Sequence, residues 1–417
     1  MISHIEPSFA SAKRSGNSTE SLMRRSTDRI LTTHVGSLIR PKVLLDQATA
    51  ARQQPEQQPR YQQALQQATA EVVRQQLDAG LDIVNDGEYG KSSWANYVLD
   101  RMTGFEFRPD TLYEATWLGR DRFRFAEFMT AQFPRGAKGA PGHACVGPIR
   151  YQGHEAIRRN ISDLKAAMES GGVTEGFLTA VAPASTGYDA SNEYYKDEHE
   201  YVFAIAEALR EEYLEIVNAG LLLQVDDAVL ANMYDEIVQH GPERYQQWAE
   251  LRVDALNHAL RGIPEERVRY HVCFGSWHVP HVADAPLEAI LPLVLNVRAG
   301  AYSIEAANVR HEHEWRVWQT AKLAPGKILI PGVVTHHTTS IEHPRLVADR
   351  IVRFASLVGR ENVIAGTDCG FAQLEQYQRV HPQVMWAKLQ TLAEGARIAS
   401  DELWGVRVDQ RRAGLAF

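Results

Sequence analysis

Apolar residues at helical spacing alternate along this chain with short runs that have the composition of buried strands. A glycine often lies at the junction between a helical stretch and the strand-like run that follows, as is common after the C-terminus of a helix. Gly80 precedes the apolar run 81–84, Gly220 precedes 221–225, and Gly300 precedes 301–304. The repeated order of helix, glycine and short strand predicts an α/β fold with parallel strands.

The number of such runs predicts a single (β/α)8 TIM barrel. No glycine-rich phosphate loop follows the first run, which disfavours the alternative of an open doubly wound sheet. Residues 100–170 are too many for one helix, so they predict an insertion between the second and third strands. Residues 384–404 predict a long closing helix. The eight predicted strands are residues 31–33, 81–84, 177–181, 221–225, 268–270, 301–304, 328–330 and 363–365.

Residues 1–28 are polar and charged and have no apolar core, so we predict a disordered N-terminal tail, followed by the barrel domain over residues 29–417. The tail does not resemble a secretory signal. An organelle transit peptide is the alternative, because Arg24 and Arg25 are present, but Glu6, Glu20 and Asp28 argue against it.

The formal charge of -8 provides no basic field for nucleic acid or an anionic membrane, and no apolar run has the length of a membrane span. A small-molecule substrate is therefore expected, and a homo-oligomer is compatible with this reasoning. Three cysteines in 417 residues cannot build a disulfide framework and are typical of a reducing, cytoplasmic location. Cys145 is interpreted as a small buried apolar residue.

Polar residues that could take part in catalysis or ligand binding follow most of the predicted strands. In a barrel the carboxyl ends of the strands meet at one mouth, where catalytic groups lie. This distribution predicts an active site there. The segments concerned are Thr33–Ser37, Asn85–Glu88, Gln224–Asp227, His271–Cys273, Glu305, His336–His337 and Thr367–Gly370.

Four of these residues have the side chains of a zinc site. Because side chains alternate along a strand, His271 and Cys273 share one face, at about 7 Å between Cα atoms. A lone histidine or cysteine at a strand end more often packs than binds metal. Glu305 and Cys369 on two further strands complete a nitrogen, sulfur and oxygen set that suits zinc.

One other histidine motif, at residues 311–314, has two interpretations. It could contribute to a second metal site, but the alternation of His311 and His313 with Glu312 and Glu314 favours a solvated first turn of a helix.

Several of these segments resemble the catalytic domain of cobalamin-independent methionine synthase and its relatives, the zinc-dependent epoxyalkane:coenzyme M transferases. They occur in the order of that family and cover nearly all of the chain after residue 28. The resemblance implies a barrel enzyme in which a zinc-bound thiolate takes an alkyl group from a donor. The matching segments are Thr33–Ser37, Asp86–Glu88, Gln224–Asp226, His271–Cys273, Ser303–Ala306 and Asp368–Gly370.

The resemblance also implies a role for individual residues. His271, Cys273 and Cys369 match zinc ligands, and Glu305 matches a fourth ligand that the incoming thiol displaces. Glu88 and Asp226 match acidic residues that bind the ammonium group of a homocysteine-like thiol, and Ser37 matches a turn that meets its carboxylate. His337 falls at the position of a general acid, and we predict His337 and Asp226 as catalytic residues.

Two departures leave alternatives open. Residues 182–188 lack the tryptophan that the methyltransferases place against the pterin, and residues 89–94 also differ. The leading prediction is a zinc-dependent methyl or alkyl transferase acting on a small thiol and an alkyl donor. One alternative adds a sulfonate-bearing thiol to an epoxide, with Lys91 or Arg310 as the cation for the sulfonate. The other is a non-catalytic zinc barrel.

Overall fold

The computed structural model of this chain describes residues 23–133, 138–375 and 377–405. The strands are β1 (Leu31–Thr32), β2 (Phe105–Glu114), β3 (Lys138–Cys145), β4 (Phe177–Val181), β5 (Ala190–Asn192), β6 (Leu222–Asp227), β7 (Val268–Val272), β8 (Ala301–Ile304), β9 (Ile328–Val334) and β10 (Ile364–Thr367). The helices are α1 (Lys42–Gln53), α2 (Gln58–Asp78), α3 (Asp121–Arg124), α4 (Ala126–Gln132), α5 (His154–Gly171), α6 (Glu198–Asn218), α7 (Val229–Asn232), α8 (Tyr234–Val238), α9 (Pro242–Ala259), α10 (Leu287–Asn296), α11 (Pro344–Val358) and α12 (Pro382–Trp404).

Seven strands form one curled parallel sheet in the order β1-β10-β9-β8-β7-β6-β4. The prediction of a parallel α/β fold is therefore confirmed. Helices cover the outside of the sheet, and every residue of its seven strands is buried, which explains why these runs are almost wholly apolar in the sequence. The predicted closing helix is confirmed as α12, which packs against α11 and β1.

Apolar side chains from across the sheet meet inside its curve. Because side chains alternate between the two faces of a strand, each strand directs only some residues inward. Arg269 of β7 is also fully buried there, where it donates hydrogen bonds to Thr33 Oγ1 (3.1 Å) and His34 O (3.0 Å). The inner cluster comprises Met23, Leu31, Ile83, Phe177, Leu222, Ala301, Ile328, Ile330 and Ile364.

The second predicted strand, residues 81–84, is not a strand of the sheet, although it lies between the two edges. The backbone N–H groups of Asp82 and Ile83 donate to Thr32 O at 3.1 Å, and Phe177 N donates to Val84 O at 3.0 Å. Val84 and Gly176 form an isolated parallel bridge. The segment runs too briefly beside either edge to form a ladder.

Strands β2 and β3 of the predicted insertion form a second, smaller sheet with β5, which follows β4, in the order β2-β3-β5. It rests on the main body near a buried network centred on Glu212 of α6. That carboxylate accepts hydrogen bonds from Tyr97 Oη (2.5 Å), Tyr151 Oη (2.5 Å) and Arg101 Nη1 (3.0 Å). The network fixes the start and the end of the insertion to the helix layer.

Most of the predicted tail lies outside the described residues. Residues 23–28 are described, and Ser26 Oγ donates to Val363 O at 2.6 Å while Met23 packs into the inner cluster. These contacts make residues 23–28 part of the folded body. Within the described part of the chain, no helix has the length and apolar composition that crossing a membrane would need.

Candidate active site

The carboxyl ends of the parallel strands surround a cavity. Six of the eight residues with a predicted individual role line it: Ser37, Glu88, Asp226, His271, Cys273 and Cys369. Glu305 and His337 are not part of this lining among the described residues. The strand order explains the convergence, because residues distant in sequence are brought to one end of the same sheet.

His271, Cys273 and Cys369 form a compact group that could hold a metal ion. One ligand atom from each residue lies within 4.8 Å of the others, and the two Sγ atoms are 3.5 Å apart. Nδ1 of His271 meets Ser303 Oγ at 3.2 Å, whereas its buried Nε2 has no hydrogen-bond partner among the described residues. A buried imidazole nitrogen of this kind, beside two thiols, is suited to a metal of zinc type.

Hydrogen bonds at the strand ends hold the two cysteines in place. Cys273 follows β7, and its backbone N–H donates to Asp227 O at 2.9 Å. Beside Cys369, the Asp368 carboxylate accepts from the backbone N–H groups of Ala306 and Ala307, both at 2.8 Å. A Cβ at Gly332 would lie 2.3 Å from Asp368 Oδ1, so only glycine allows β9 and β10 to approach this closely.

A hydrogen bond between the two thiols shifts their pKa values in opposite directions. The contact with Cys273 lowers the pKa of Cys369 well below its usual range, and His271 adds to this effect. The same contact raises the pKa of Cys273, and burial raises it further. One sulfur of the pair therefore carries the proton while the other is the better thiolate.

Glu305 lies beside this group, and both of its carboxylate oxygens accept hydrogen bonds from protein groups. Oε1 accepts from Phe274 N at 3.0 Å, and Oε2 accepts from Asn308 Nδ2 (2.8 Å) and Arg310 Nη2 (3.0 Å). Burial raises the pKa of Glu305 to about 7, although Arg310 acts in the opposite direction. The structure thus places the predicted fourth ligand next to the other three but outside their cluster.

Glu88 lies in a turn whose backbone is unusual for its residue type. Its φ is 59° and that of Gly87 is 68°, a left-handed conformation that non-glycine residues seldom adopt away from functional sites. The turn directs the buried carboxylate to Thr179, whose Oγ1 donates to Oε1 at 2.5 Å. Oε2 is buried and has no partner among the described residues, so one acceptor remains available to a ligand.

Asp226 ends β6 on the same side of the cavity. Its Oδ1 accepts from Gln224 Nε2 at 2.8 Å. Burial raises its pKa to about 7, His271 opposes this shift, and Glu88 adds to it. Two carboxyl groups that face one cavity without an equal number of free cations attract a cationic ligand group.

Ser37 approaches the loop after β10 closely. Its backbone oxygen accepts from Phe371 N at 2.8 Å, and its Oγ accepts from Ala372 N at 3.4 Å. A Cβ at Gly370 would lie 2.0 Å from Ser37 Oγ, which requires glycine after Cys369.

His337 lies outside the cavity wall, within a group of histidine rings. Its ring centroid is 4.4 Å from that of His336, 5.4 Å from His278 and 6.0 Å from His281. Burial, followed by the charge of Arg310, lowers the pKa of His337 to about 2. His336 connects this group to the cavity, because its Nε2 lies 2.9 Å from Ser276 Oγ.

Both cations expected for a sulfonate are already paired. Lys91 Nζ donates to Thr179 O (2.7 Å) and Thr179 Oγ1, and it lies 3.8 Å from Glu88. Arg310 binds Glu305 and Asp284. These interactions neutralise the charges that the epoxide alternative required.

The interpretation of His311 as part of a solvated helix turn is wrong, because His311 is only 2% exposed. Its Nδ1 meets Glu314 at 2.7 Å and its Nε2 lies 3.3 Å from Asp284. His313 is exposed, as expected. The alternation of charged residues could not reveal that His311 and Glu314, at the start of the 3-10 helix Glu312–Gln319, both pack inward.

The sequence interpretation did not identify the aromatic and basic residues of the cavity. Trp94 stacks on Tyr188 (6.0 Å between centroids), and Trp117 contacts both Tyr188 (5.3 Å) and Trp277 (6.3 Å). Arg379, after β10, lines the cavity with Trp94, Tyr188 and Trp277. Trp94 and Tyr188 had a signal in the sequence, because they end the segments 89–94 and 182–188 that depart from the family pattern. Trp117 belongs to the insertion and Arg379 to a loop, where strand periodicity gives no guide.

Comparisons with known proteins agree with this geometry. Residues 158–389, more than half of the chain, match the family described as the cobalamin-independent synthase, catalytic domain. A methionine synthase of Thermococcus kodakarensis is 22% identical over 80% of this chain and 82% of its own length. A methionine synthase of Sulfolobus acidocaldarius is 22% identical over 89% of this chain and 93% of its own.

Two solved structures share the fold. A B12-independent methionine synthase from Shewanella sp. W3-18-1, in complex with selenomethionine, has a TM-score of 0.62 at 19% identity and covers 91% of this chain and 100% of its own. A putative vitamin-B12 independent methionine synthase from Listeria monocytogenes also has a TM-score of 0.62, at 18% identity, and covers 89% of this chain and 98% of its own.

Proposed function

This chain belongs to the family of cobalamin-independent synthase catalytic domains, and from that premise we propose that it is a zinc-dependent enzyme that methylates homocysteine or a close analogue. The observation that supports this most strongly is the group of His271, Cys273 and Cys369 at the wall of a cavity that also contains Glu88 and Asp226. A small molecule with both a thiol and an ammonium group could place the thiol at the metal site and the ammonium group at the two carboxylates.

The proposed zinc ligands are His271, Cys273 and Cys369, with Glu305 as the residue that approaches when no thiol is bound. The donor set fits, because the buried Nε2 of His271 lacks a partner among the described residues and the two sulfurs are 3.5 Å apart. When bound, zinc would lower the pKa of a substrate thiol and keep it as a nucleophilic thiolate at neutral pH.

The acidic wall of Glu88 and Asp226 would bind the ammonium group of the thiol. Glu88 Oε2 is buried and free of partners among the described residues, and Asp226 releases its proton near pH 7. An incoming ammonium would favour the ionised form of both carboxylates, and it would lower the pKa of Asp226. Ser37, on the adjacent rim, is the proposed contact for the carboxylate of the same substrate.

The role of His337 as a general acid remains a prediction. Its lowered pKa means that the ring is neutral at pH 7, so protonation of a leaving group would require a partner that raises this pKa. An anionic donor close to His337 would have that effect. A His337→Asn variant that keeps zinc and homocysteine binding but loses turnover would support the role.

A direct experiment tests the proposed function. Zinc-loaded protein is incubated with homocysteine and a panel of methyl donors, and methionine is measured by mass spectrometry. Methionine formation that is lost in Cys369→Ser supports the proposal. No methionine from any donor, in a protein that retains zinc, contradicts it. The same samples, incubated with epoxides and a sulfonate-bearing thiol, test the lyase alternative, for which Lys91 and Arg310 offer no free charge.

We also propose that the curled sheet is a closed eight-membered barrel, with residues 81–84 as the missing member. Three observations support closure: the hydrogen bonds from residues 82–83 to β1 and between residues 84 and 177, the presence of Ile83 in the inner cluster, and the Arg269 side chain that reaches from β7 to β1. Slow hydrogen exchange at the amides of Ile83 and Phe177 would support closure, and rapid exchange would contradict it.

A further inference from the structure

Arg379 is a cation of the active-site cavity that has no part in the proposed zinc site or in the acidic wall. We propose that Arg379 binds an anionic group, such as a carboxylate, phosphate or sulfonate, on the alkyl donor, and that it thereby selects acidic donors over neutral ones. The inference rests on the proposed function, since it names the class of the second substrate.

The contacts of Arg379 place its guanidinium next to the metal-ligand group. Arg379 Nε donates to Gln373 Oε1 at 2.9 Å, and Gln373 Nε2 lies 3.8 Å from Cys369 Sγ. Gln373 is itself fixed, because Trp94 N donates to its backbone oxygen at 2.9 Å. One buried side chain therefore separates the cation from Cys369, which is one of the proposed zinc ligands.

The guanidinium has donors to spare. Its Nη1 is buried, yet it has no hydrogen-bond partner among the described residues. Its other neighbour is Tyr377, whose ring centroid lies 4.3 Å from Cζ, and no carboxylate among the described residues forms an ion pair with the guanidinium. A buried donor without a partner is costly, and an arginine fork matches the two oxygens of a carboxylate or phosphate.

The distribution of charge favours the donor over the thiol as the source of this anion. Glu88 and Asp226 line one part of the cavity, where the ammonium group of the thiol is expected, whereas Arg379 follows β10. Ser276, which lines the cavity together with Arg379, lies 2.9 Å from His336 Nε2, and the His336 ring centroid is 4.4 Å from that of His337. The cavity that contains Arg379 therefore extends toward the proposed general acid, where the donor would lie.

The aromatic residues around Arg379 suit the rest of such a donor. Trp94, Tyr188 and Trp277 line the same cavity, and Trp94 and Tyr188 are stacked with an angle of 16° between their planes. A flat or apolar body would pack against these rings while its acidic group reaches Arg379.

A pair of fluorescent probes tests the anion preference without turnover. Zinc-loaded protein is titrated with anilinonaphthalene sulfonate and with phenylnaphthylamine, its neutral counterpart. We expect Arg379→Gln to weaken binding of the sulfonate by about ten- to a hundredfold, the usual range for charge-assisted hydrogen bonds, and to change binding of the neutral probe by less than about twofold. Arg379→Lys should retain part of the preference.

Arg52→Gln is the matched control, because Arg52 pairs with Glu375 in the same loop but lies outside the cavity lining. It should bind both probes as the wild type does. The proposal is overturned if the wild type shows no preference for the sulfonate, if Arg379→Gln retains that preference, or if the variant loses both probes equally, as a displaced loop would cause.

Steady-state kinetics then distinguish the two sources of the anion. With methyltetrahydrofolate as the donor, Arg379→Gln should raise the KM of the donor and leave that of homocysteine unchanged. A rise in the KM of homocysteine alone would assign the anion to the thiol and overturn the donor assignment. If the wild type forms no methionine, the proposed function fails, while the probe titrations still decide whether Arg379 selects anions.

Discussion

Cys273 and Cys369 are the residues on which the proposed metal site depends most directly. A serine at either position replaces a soft sulfur by a weaker oxygen ligand, so we expect Cys273→Ser and Cys369→Ser each to lower zinc affinity at least about tenfold and to abolish methyl transfer. Metal content after dialysis and methionine formation are the measurements. Cys145→Ser, at a buried cysteine outside the site, should keep both, and retention of zinc by both ligand variants would contradict the assignment.

His311 should make the stability of the protein depend on pH. Burial acts to lower its pKa, but its hydrogen bonds to Asp284 and Glu314 raise it from 6.5 to about 9. The charged ring therefore adds stability that is fully present below pH 6.5 and is lost as pH rises through 9. We expect that contribution to be about 3 kcal/mol.

The test compares urea unfolding of the wild type and His311→Gln at pH 6 and pH 9.5. The difference in unfolding free energy between the two proteins should shrink as pH rises. His313→Gln, at the exposed neighbour, should follow the wild type at both values. A difference that stays constant with pH would show that the ring is not charged in the folded state.

Among individual residues of the site, the sequence predicted those whose position follows from strand periodicity. His271 and Cys273 are two residues apart at the end of a strand, and the ends of parallel strands must meet. Arg379 and Trp94 reach the cavity from loops, whose paths depend on contacts rather than on a period. The burial of His311 likewise depends on Asp284, twenty-seven positions earlier, which no local pattern relates to it.

Among the larger elements, the insertion that contains β2 and β3 is held to helix α6 by the Glu212 network. Glu212→Gln would leave the buried charge of Arg101 without a counter-ion, so we expect a loss of about 3 to 5 kcal/mol in unfolding free energy. Urea unfolding measures it. Glu215→Gln removes the more exposed pair with Arg158 from the same helix and should cost less than about 1 kcal/mol. Similar losses for both variants would mean that the network does not anchor the insertion.

The sequence predicted those elements that an apolar run marks locally, and it missed those that depend on contacts between distant segments. Seven of the eight predicted strands belong to the main sheet, because each is a buried apolar run with helices on both sides. Residues 81–84 have the same composition, but they meet their neighbours through only a few hydrogen bonds. Strand pairing of that kind depends on how far the sheet curls, which apolar composition does not encode. The small sheet of the insertion was likewise hidden in an aromatic stretch without a period.

Across the whole molecule, the proposed metal would join distant parts of the chain. Cys273 follows β7 and Cys369 follows β10, with β8 and β9 between them in the sheet, so one ion would connect the two outer strands of this group of four at their carboxyl ends. Any ion that binds only the folded state raises the free energy of unfolding. With free zinc buffered at a hundred to a thousand times its Kd, we expect a gain of about 3 to 4 kcal/mol.

Thermal unfolding of the apoprotein, with and without buffered zinc, measures this gain. A chelator should reverse it, and Cys369→Ser should show almost none of it at the same zinc concentration. Cys145→Ser should show all of it, since that thiol lies outside the cluster. Magnesium at the same free concentration should have no effect, because it prefers oxygen ligands to thiolates. Equal stabilisation of the wild type and Cys369→Ser would place the bound zinc elsewhere on the molecule and remove the physical basis for the proposed thiol chemistry.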